Sequence, residues 1–117
     1  IKITTECKYR GNIFGPDEDK KINVDFINDL GEGIKSDTEI NYDIEDYDGN
    51  VLRSGEFKLG EVTDETPPVT FDLNDITKFG VYTIKLKFKN TIHDPAGEVV
   101  IENVTPVRFS PRPTTLL

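Results

Sequence analysis

The chain has 117 residues, 35% of them hydrophobic and 31% charged, with a formal net charge of −8. That length suits one domain of ordinary size and excludes a deep catalytic cleft between two lobes. So acidic a surface repels nucleic-acid phosphates and anionic membranes, and no apolar run is long enough to cross a bilayer as a helix, so neither nucleic-acid binding nor membrane insertion is expected.

Period-two alternation of apolar and polar residues, the mark of strands with one buried face, recurs along the chain. It begins at Ile3, Thr5, Cys7 and Tyr9, where the lone Cys7 permits no internal disulfide and reads as a small core residue. After the loop "GNIFGPDEDK", "KINVDFI" sets Ile22, Val24 and Phe26 on one face, and after "NDLGEG", "TEINYDIEDY" does the same with Ile40, Tyr42 and Ile44. Asp48-Gly49 then stands between two strand-forming runs, a strong signal for a hairpin turn in which Gly supplies a positive φ. "PVTFDL" offers Val69, Phe71 and Leu73, and "LNDITKFG" reads as a single helical turn capped by Asn74 or Asp75 and stopped at Gly80. "GVYTIKLKF" carries Tyr82, Ile84, Leu86 and Phe88 on one face. The last run, "GEVVIENVTPVRF", is less regular and is expected to hold a bulge or to divide in two.

Short strands punctuated by Gly, Pro, Asn and Asp, with almost no helical periodicity, predict an all-β fold: an antiparallel β-sandwich of two sheets and seven to nine strands. Residues 1–109 are assigned to it. Residues 110–117, with Pro111 and Pro113, are expected to be a Pro-rich linker or the start of a following domain, and the absence of Met fits a piece of a longer polypeptide.

A short loop, a Gly and a Tyr opening a long alternating strand match a tyrosine corner, with Tyr82 as the residue whose hydroxyl reaches back to upstream backbone. Together with "YDIEDYDGNVLRSGEF", this stretch resembles the immunoglobulin-like accessory sandwiches attached to bacterial glycoside hydrolases and other multidomain secreted proteins. The resemblance implies a non-catalytic, secreted or cell-surface domain that spaces or packs against a catalytic neighbour in the same polypeptide and binds polysaccharide weakly. The alternatives are a dedicated carbohydrate-binding module and an adhesion or protein-interaction domain using an exposed sheet edge. In that topology "TEINYDIED" and "GVYTIKLKFKN" are antiparallel neighbours, so Glu39, Asp43 and Glu45 would meet Lys85, Lys87 and Lys89 on an outward face.

Aromatics outside the core alternation are the candidates for stacking on sugar: Phe14, Tyr47 and Tyr9, with Phe79 beside them. Asp46, Asp48 and Asn50 imitate the start of a calcium loop, but counting on from Asp46 the sixth and twelfth places hold Val51 and Phe57 rather than ligands, so the turn is the main reading. Asp17 and Asp19 in "GPDEDK", joined with loop acids such as Glu61, Asp64 and Glu65 if the loops meet at one end, would supply a structural Ca²⁺ site, with Asp46 and Asp48 at the turn as a separate candidate for a surface ion; no other cofactor is implied. His93 is the only His, and Ser36, Ser54 and Ser110 lie in no nucleophile motif, so the fragment is expected not to be an enzyme.

Overall fold

The computed structural model describes residues 2–6, 12–15, 18–27, 35–63, 65–94 and 96–112. Among them are eight strands and no α-helix: β1 (Lys2–Glu6), β2 (Ile13–Phe14), β3 (Lys21–Ile27), β4 (Lys35–Glu45), β5 (Val51–Gly60), β6 (Val69–Asp72), β7 (Tyr82–Asp94) and β8 (Gly97–Pro111). They form a three-stranded sheet, β1-β3-β6, and a five-stranded sheet, β2-β8-β7-β4-β5. All pairings are antiparallel except β2 with β8, which run parallel, so the larger sheet is mixed rather than wholly antiparallel as expected.

Alternation accounts for the layering. On β7, Tyr82, Ile84, Leu86 and Phe88 are buried while Lys87 and Lys89, at the alternate positions, are exposed, and β3 buries Ile22, Val24 and Phe26 in the same way. The two apolar faces meet: Phe26 touches Phe88 edge to face at 6.1 Å, and Phe71 of β6 lies edge-on to Tyr42 of β4 at 4.9 Å. Tyr42 also stacks on Phe57 of β5 at 5.4 Å, and this aromatic trio closes the side where β5 and β6 approach. Gly55, directly opposite Tyr42 on β5, gives the Tyr42 ring its place; a Cβ there would sit 2.5 Å from the ring. Below that trio, Arg53 of β5 reaches across to donate to the Asp72 carbonyl at 2.8 Å and pairs with Asp75.

Opposite the core, β4 and β7 present the expected charged face, but the pairs are diagonal. Register sets Asp43 against Lys85, whereas Asp43 binds Lys87 and Glu45 binds Lys85, each at 2.7 Å. A residue two places along an antiparallel partner lies within reach of a long Lys side chain, which explains the offset. The core side carries one buried polar pair that alternation did not foretell, Thr38 donating to Asn90 Oδ1 at 2.7 Å.

Three expectations are corrected. "LNDITKFG" is not a helical turn but a crossover between the sheets: Ile76 N–H donates to the Leu73 carbonyl in one isolated turn, the Asp72 carboxylate accepts the Asn74 N–H as in an Asx-turn, and no further helical bond follows among the described residues. Side chains that bond nearby backbone compete with helix in this way. "GEVVIENVTPVRF" neither bulges nor divides; it belongs to one 15-residue strand in unbroken register with β7 from Tyr82↔Phe109 to Asp94↔Gly97. The strand also passes residue 109, for Pro111 is fully buried and Ser110 Oγ donates to the Gly80 carbonyl at 2.7 Å, so Ser110 and Pro111 belong to the fold and not to a linker. At ~3.3 Å per residue β8 is about 50 Å long, which explains the extents of 62 × 27 × 17 Å.

Tyr82 lies beneath the crossover, 5% exposed, and its hydroxyl donates to the Lys78 carbonyl at 2.7 Å. Tyr82→Phe keeps the packing and strands that carbonyl, so a loss of about 1 kcal/mol is expected in urea unfolding. Gly55→Ala is expected to cost roughly 1–3 kcal/mol in urea unfolding because it must displace Tyr42, and Gly49→Ala about 1–2 kcal/mol because it strains a left-handed φ although the space there is open.

Candidate functional site: a groove at the β4–β5 hairpin end

The hairpin joining β4 to β5 and the crossover joining β6 to β7 lie at the same end, because Glu45 at the close of β4 pairs with Thr83 at the opening of β7. The hairpin is built around Asp46. Its Oδ1 accepts the N–H groups of Asp48 and Asn50 at 3.0 and 2.9 Å, its Oδ2 accepts Asn50 Nδ2 at 3.1 Å, and its own N–H donates to the Asn50 carbonyl at 3.0 Å. Gly49 takes φ +85°, the left-handed conformation the turn requires. The Asn50 backbone N–H is the chief cause holding the Asp46 carboxyl below its ordinary value, with the Asn50 side chain and the Asp48 and Gly49 amides adding to it. This leaves Tyr47 at the tip, 86% exposed.

The crossover is tied down as firmly. Asn74 Nδ2 donates to Asp19 at 2.7 Å and to Asp72 at 2.9 Å, its Oδ1 accepts the Lys20 N–H at 2.9 Å, and the Leu73 N–H donates to the Lys20 carbonyl at 2.8 Å. Asn74 thereby sets the segment before β3 against the end of β6. The same side chain lowers the Asp19 carboxyl, while its backbone N–H is the chief cause lowering Asp72.

Between hairpin and crossover runs a groove. One part, about 390 Å³, is bounded by Asp46, Leu52, Asp75, Ile76, Lys78 and Tyr82; the adjoining part, about 170 Å³, lies between Tyr47 and Phe79 with Asp46, Asp48 and Lys78 beside them. Phe79 is 56% exposed, and the Arg112 guanidinium stands 6.0 Å over its ring. Past Phe79 the surface continues into an apolar patch with Ile13 and Val81, each about half exposed. Two exposed rings lining a cleft edged by carboxylates and an ammonium suit a flat, hydroxylated ligand: ring faces stack on its apolar face, and the charged groups take its hydroxyls. The Tyr82 hydroxyl is committed to Lys78, and His93 sits at the opposite end of the sheet, paired in register with Lys35.

Of the residues expected to meet sugar, Tyr47 stands on this groove. Phe14 does not and is corrected: parallel pairing of β2 with β8 sets Phe14 beside Pro111 facing inward, 0% exposed, and turns Ile13 outward instead. Tyr9 lies outside the described residues. Of the carboxylates expected to hold calcium, Asp17 also lies outside them, Asp19 is bonded to Asn74 and paired with Lys21, Asp46 is spent on its own turn, and Asp48 is exposed at the tip. Among the described residues no three His, Cys, Asp or Glu side chains converge as a metal site would require. Phe79, the aromatic named beside Phe14, Tyr47 and Tyr9, also lines the groove and is exposed.

At the far end, His93 Nε2 lies 2.8 Å from Asp37 and Nδ1 lies 3.5 Å from Glu98, linking β4, β7 and β8. Asp37 first, and Glu98 with it, raise the imidazole above its ordinary ~6.5. A raised folded value contributes stability that is fully present below ~6.5 and fades as pH climbs through the folded value. Urea midpoints are therefore expected to fall slightly as pH rises above about 6.5, and Asp37→Asn is expected to flatten that slope; an NMR titration of the single His reads the shift directly. Asp46→Ala removes the acceptor of the hairpin's amides and is expected to lower the urea midpoint while raising amide exchange at Asp48 and Asn50. No protein-family model, curated protein or solved structure matches the chain, so its function rests on the geometry of this end and of the sheets that carry it.

Proposed function

We propose that the chain is a non-catalytic, immunoglobulin-like accessory domain of a larger secreted, carbohydrate-active protein, packing against or spacing a neighbouring domain and making weak contact with polysaccharide. The observation that carries this reading is the presence of Tyr47 and Phe79, two exposed rings, in the lining of one cleft at the hairpin end together with Asp46, Asp48 and Lys78. Supporting the fold label are the strand order β2-β8-β7-β4-β5 opposite β1-β3-β6 and the Tyr82 hydroxyl bonded to upstream backbone. Supporting the packing role is the half-exposed apolar patch of Ile13, Phe79 and Val81 beside Arg112, which a neighbouring domain joined through residues 113–117 would meet first.

Polysaccharide contact is tested by affinity electrophoresis and calorimetry against soluble plant and microbial glycans. Weak binding to at least one of them is expected, with Tyr47→Ala and Phe79→Ala each raising the dissociation constant roughly tenfold (about 1.4 kcal/mol) and leaving the melting temperature unchanged. Absence of binding across the panel would remove the glycan contact and leave the packing role alone. That role has its own measurement: in the longer polypeptide, Phe79→Ser with Val81→Ser is expected to separate the unfolding of this domain from that of its neighbour, and unchanged coupling would count against it.

A further inference from the structure

The two ends of β8 are treated differently by the fold. From Thr105 onward its core-side residues are covered, ending in Val107, Phe109 and Pro111, whereas residues 97–104 are exposed on both faces, including Val99 and Val100 at 50%, Ile101 at 43% and Val104 at 59%. One edge of this segment pairs with β7; among the described residues the other edge meets only β2, at Ser110 and Pro111, and Asn12, whose Nδ2 donates to the Arg108 carbonyl at 3.0 Å. The Arg108 carbonyl thus points away from β7, and strand parity turns the backbone groups of Pro106, Val104, Glu102, Val100 and Glu98 the same way. A long, flat, apolar strand edge of this kind is a template for a further strand.

We propose that this edge pairs with the same edge of a second copy of the chain, β8 antiparallel to β8 about a two-fold axis at Ile101. Three observations choose that occupant and that register. First, the usable edge is bracketed by the turn at Gly97 and by Pro106, which has no N–H to donate, and the midpoint of residues 97–105 is Ile101. Second, the outward-bonding positions alternate in charge, so centring the axis on Ile101 sets Glu98 against Val104 and Val100 against Glu102, while centring it on Val100 or Glu102 brings glutamate against glutamate. Third, those glutamates are already matched within their own sheet, Glu98 by His93 at 3.5 Å and Glu102 by Lys89 in register, so the edge does not call for a cationic partner. Across the axis Ile101 meets Ile101 and Val99 flanks it on the core-side face, extending the five-stranded sheet into a continuous ten-stranded one.

The register is tested by cysteine trapping in a Cys7→Ser background. At a non-hydrogen-bonded antiparallel pair the Cα atoms lie about 4.5 Å apart, within disulfide reach, so Ile101→Cys is expected to form a covalent dimer under mild oxidation. Val99→Cys, whose two copies are held four residues out of register, is expected not to. Sedimentation equilibrium of the unmodified chain is expected to show a concentration-dependent dimer. Val100→Pro removes an outward N–H and leaves the β7 ladder its donors, so it is expected to raise the dissociation constant at least about tenfold, with the far-UV circular dichroism unchanged; Val100→Lys, which keeps the N–H, places a charge at the same contact and is expected to weaken the dimer as well. A monomer at every concentration, equal trapping of the two cysteine variants, or an edge occupied only when a basic peptide is added would each overturn the proposal.

Discussion

The structure depends on β7. It is flanked by β8 along its whole length and by β4 from Thr83 to His93, and its inward face, from Tyr82 to Phe88, forms the floor on which the smaller sheet rests. Because side chains alternate strictly across a strand, burying those four residues commits Lys85, Lys87 and Lys89 to the opposite face, and a slip of one place would reverse both. The carboxylates of β4 answer the lysines diagonally. Lys87 is the first cause lowering Asp43, and Asp43 in turn raises Lys87, so each group favours the charged form of the other. Exposed pairs of this sort contribute little stability, and their value lies in opposing the register in which the same residues would face inward.

The ends of the sheets are organised by side-chain amides and carboxylates rather than by apolar contact. Asp46 holds the hairpin and Asn74 ties the segment before β3 to the end of β6, each by several hydrogen bonds to nearby backbone or polar groups. Such ties hold the loops without drawing their aromatic residues into the core, which is why Tyr47 and Phe79 remain on the surface. The groove between them is therefore a by-product of polar loop closure.

The two sheets are unequal, and the inequality shapes everything at the other end. β7 and β8 continue as a hairpin beyond the reach of the smaller sheet, so the apolar residues of "GEVVI" keep their strand geometry without a layer to cover them. A buried polar pair, Thr38 with Asn90, and the unpartnered Ser36 hydroxyl mark where the core gives way to this arm. His93 fastens the arm to β4 through Asp37 and to β8 through Glu98.

Spacing along the chain carried most of the fold. Ile22, Val24, Phe26, Ile40, Ile44, Phe71, Leu73, Ile84, Leu86 and Phe88 were all legible as core from period two, and Asp48-Gly49 as a hairpin, because both follow from local backbone geometry. What lay beyond reach depended on partners distant in sequence. The inward turn of Phe14 follows from a parallel pairing nearly a hundred residues away; the setting of "LNDITKFG" as a loop goes with Asn74 bonding Lys20 and Asp19 across the segment before β3; the exposure of Val99 and Ile101 follows from a second sheet that ends too soon. Tyr47 was recognisable as a surface aromatic because its turn is local, but the groove it shares with Phe79 is not, since only the packing of the two sheets brings the hairpin and the crossover together. The alternation of side chains along a strand is a property of the chain itself, and the company each strand keeps is a property of the assembled layers.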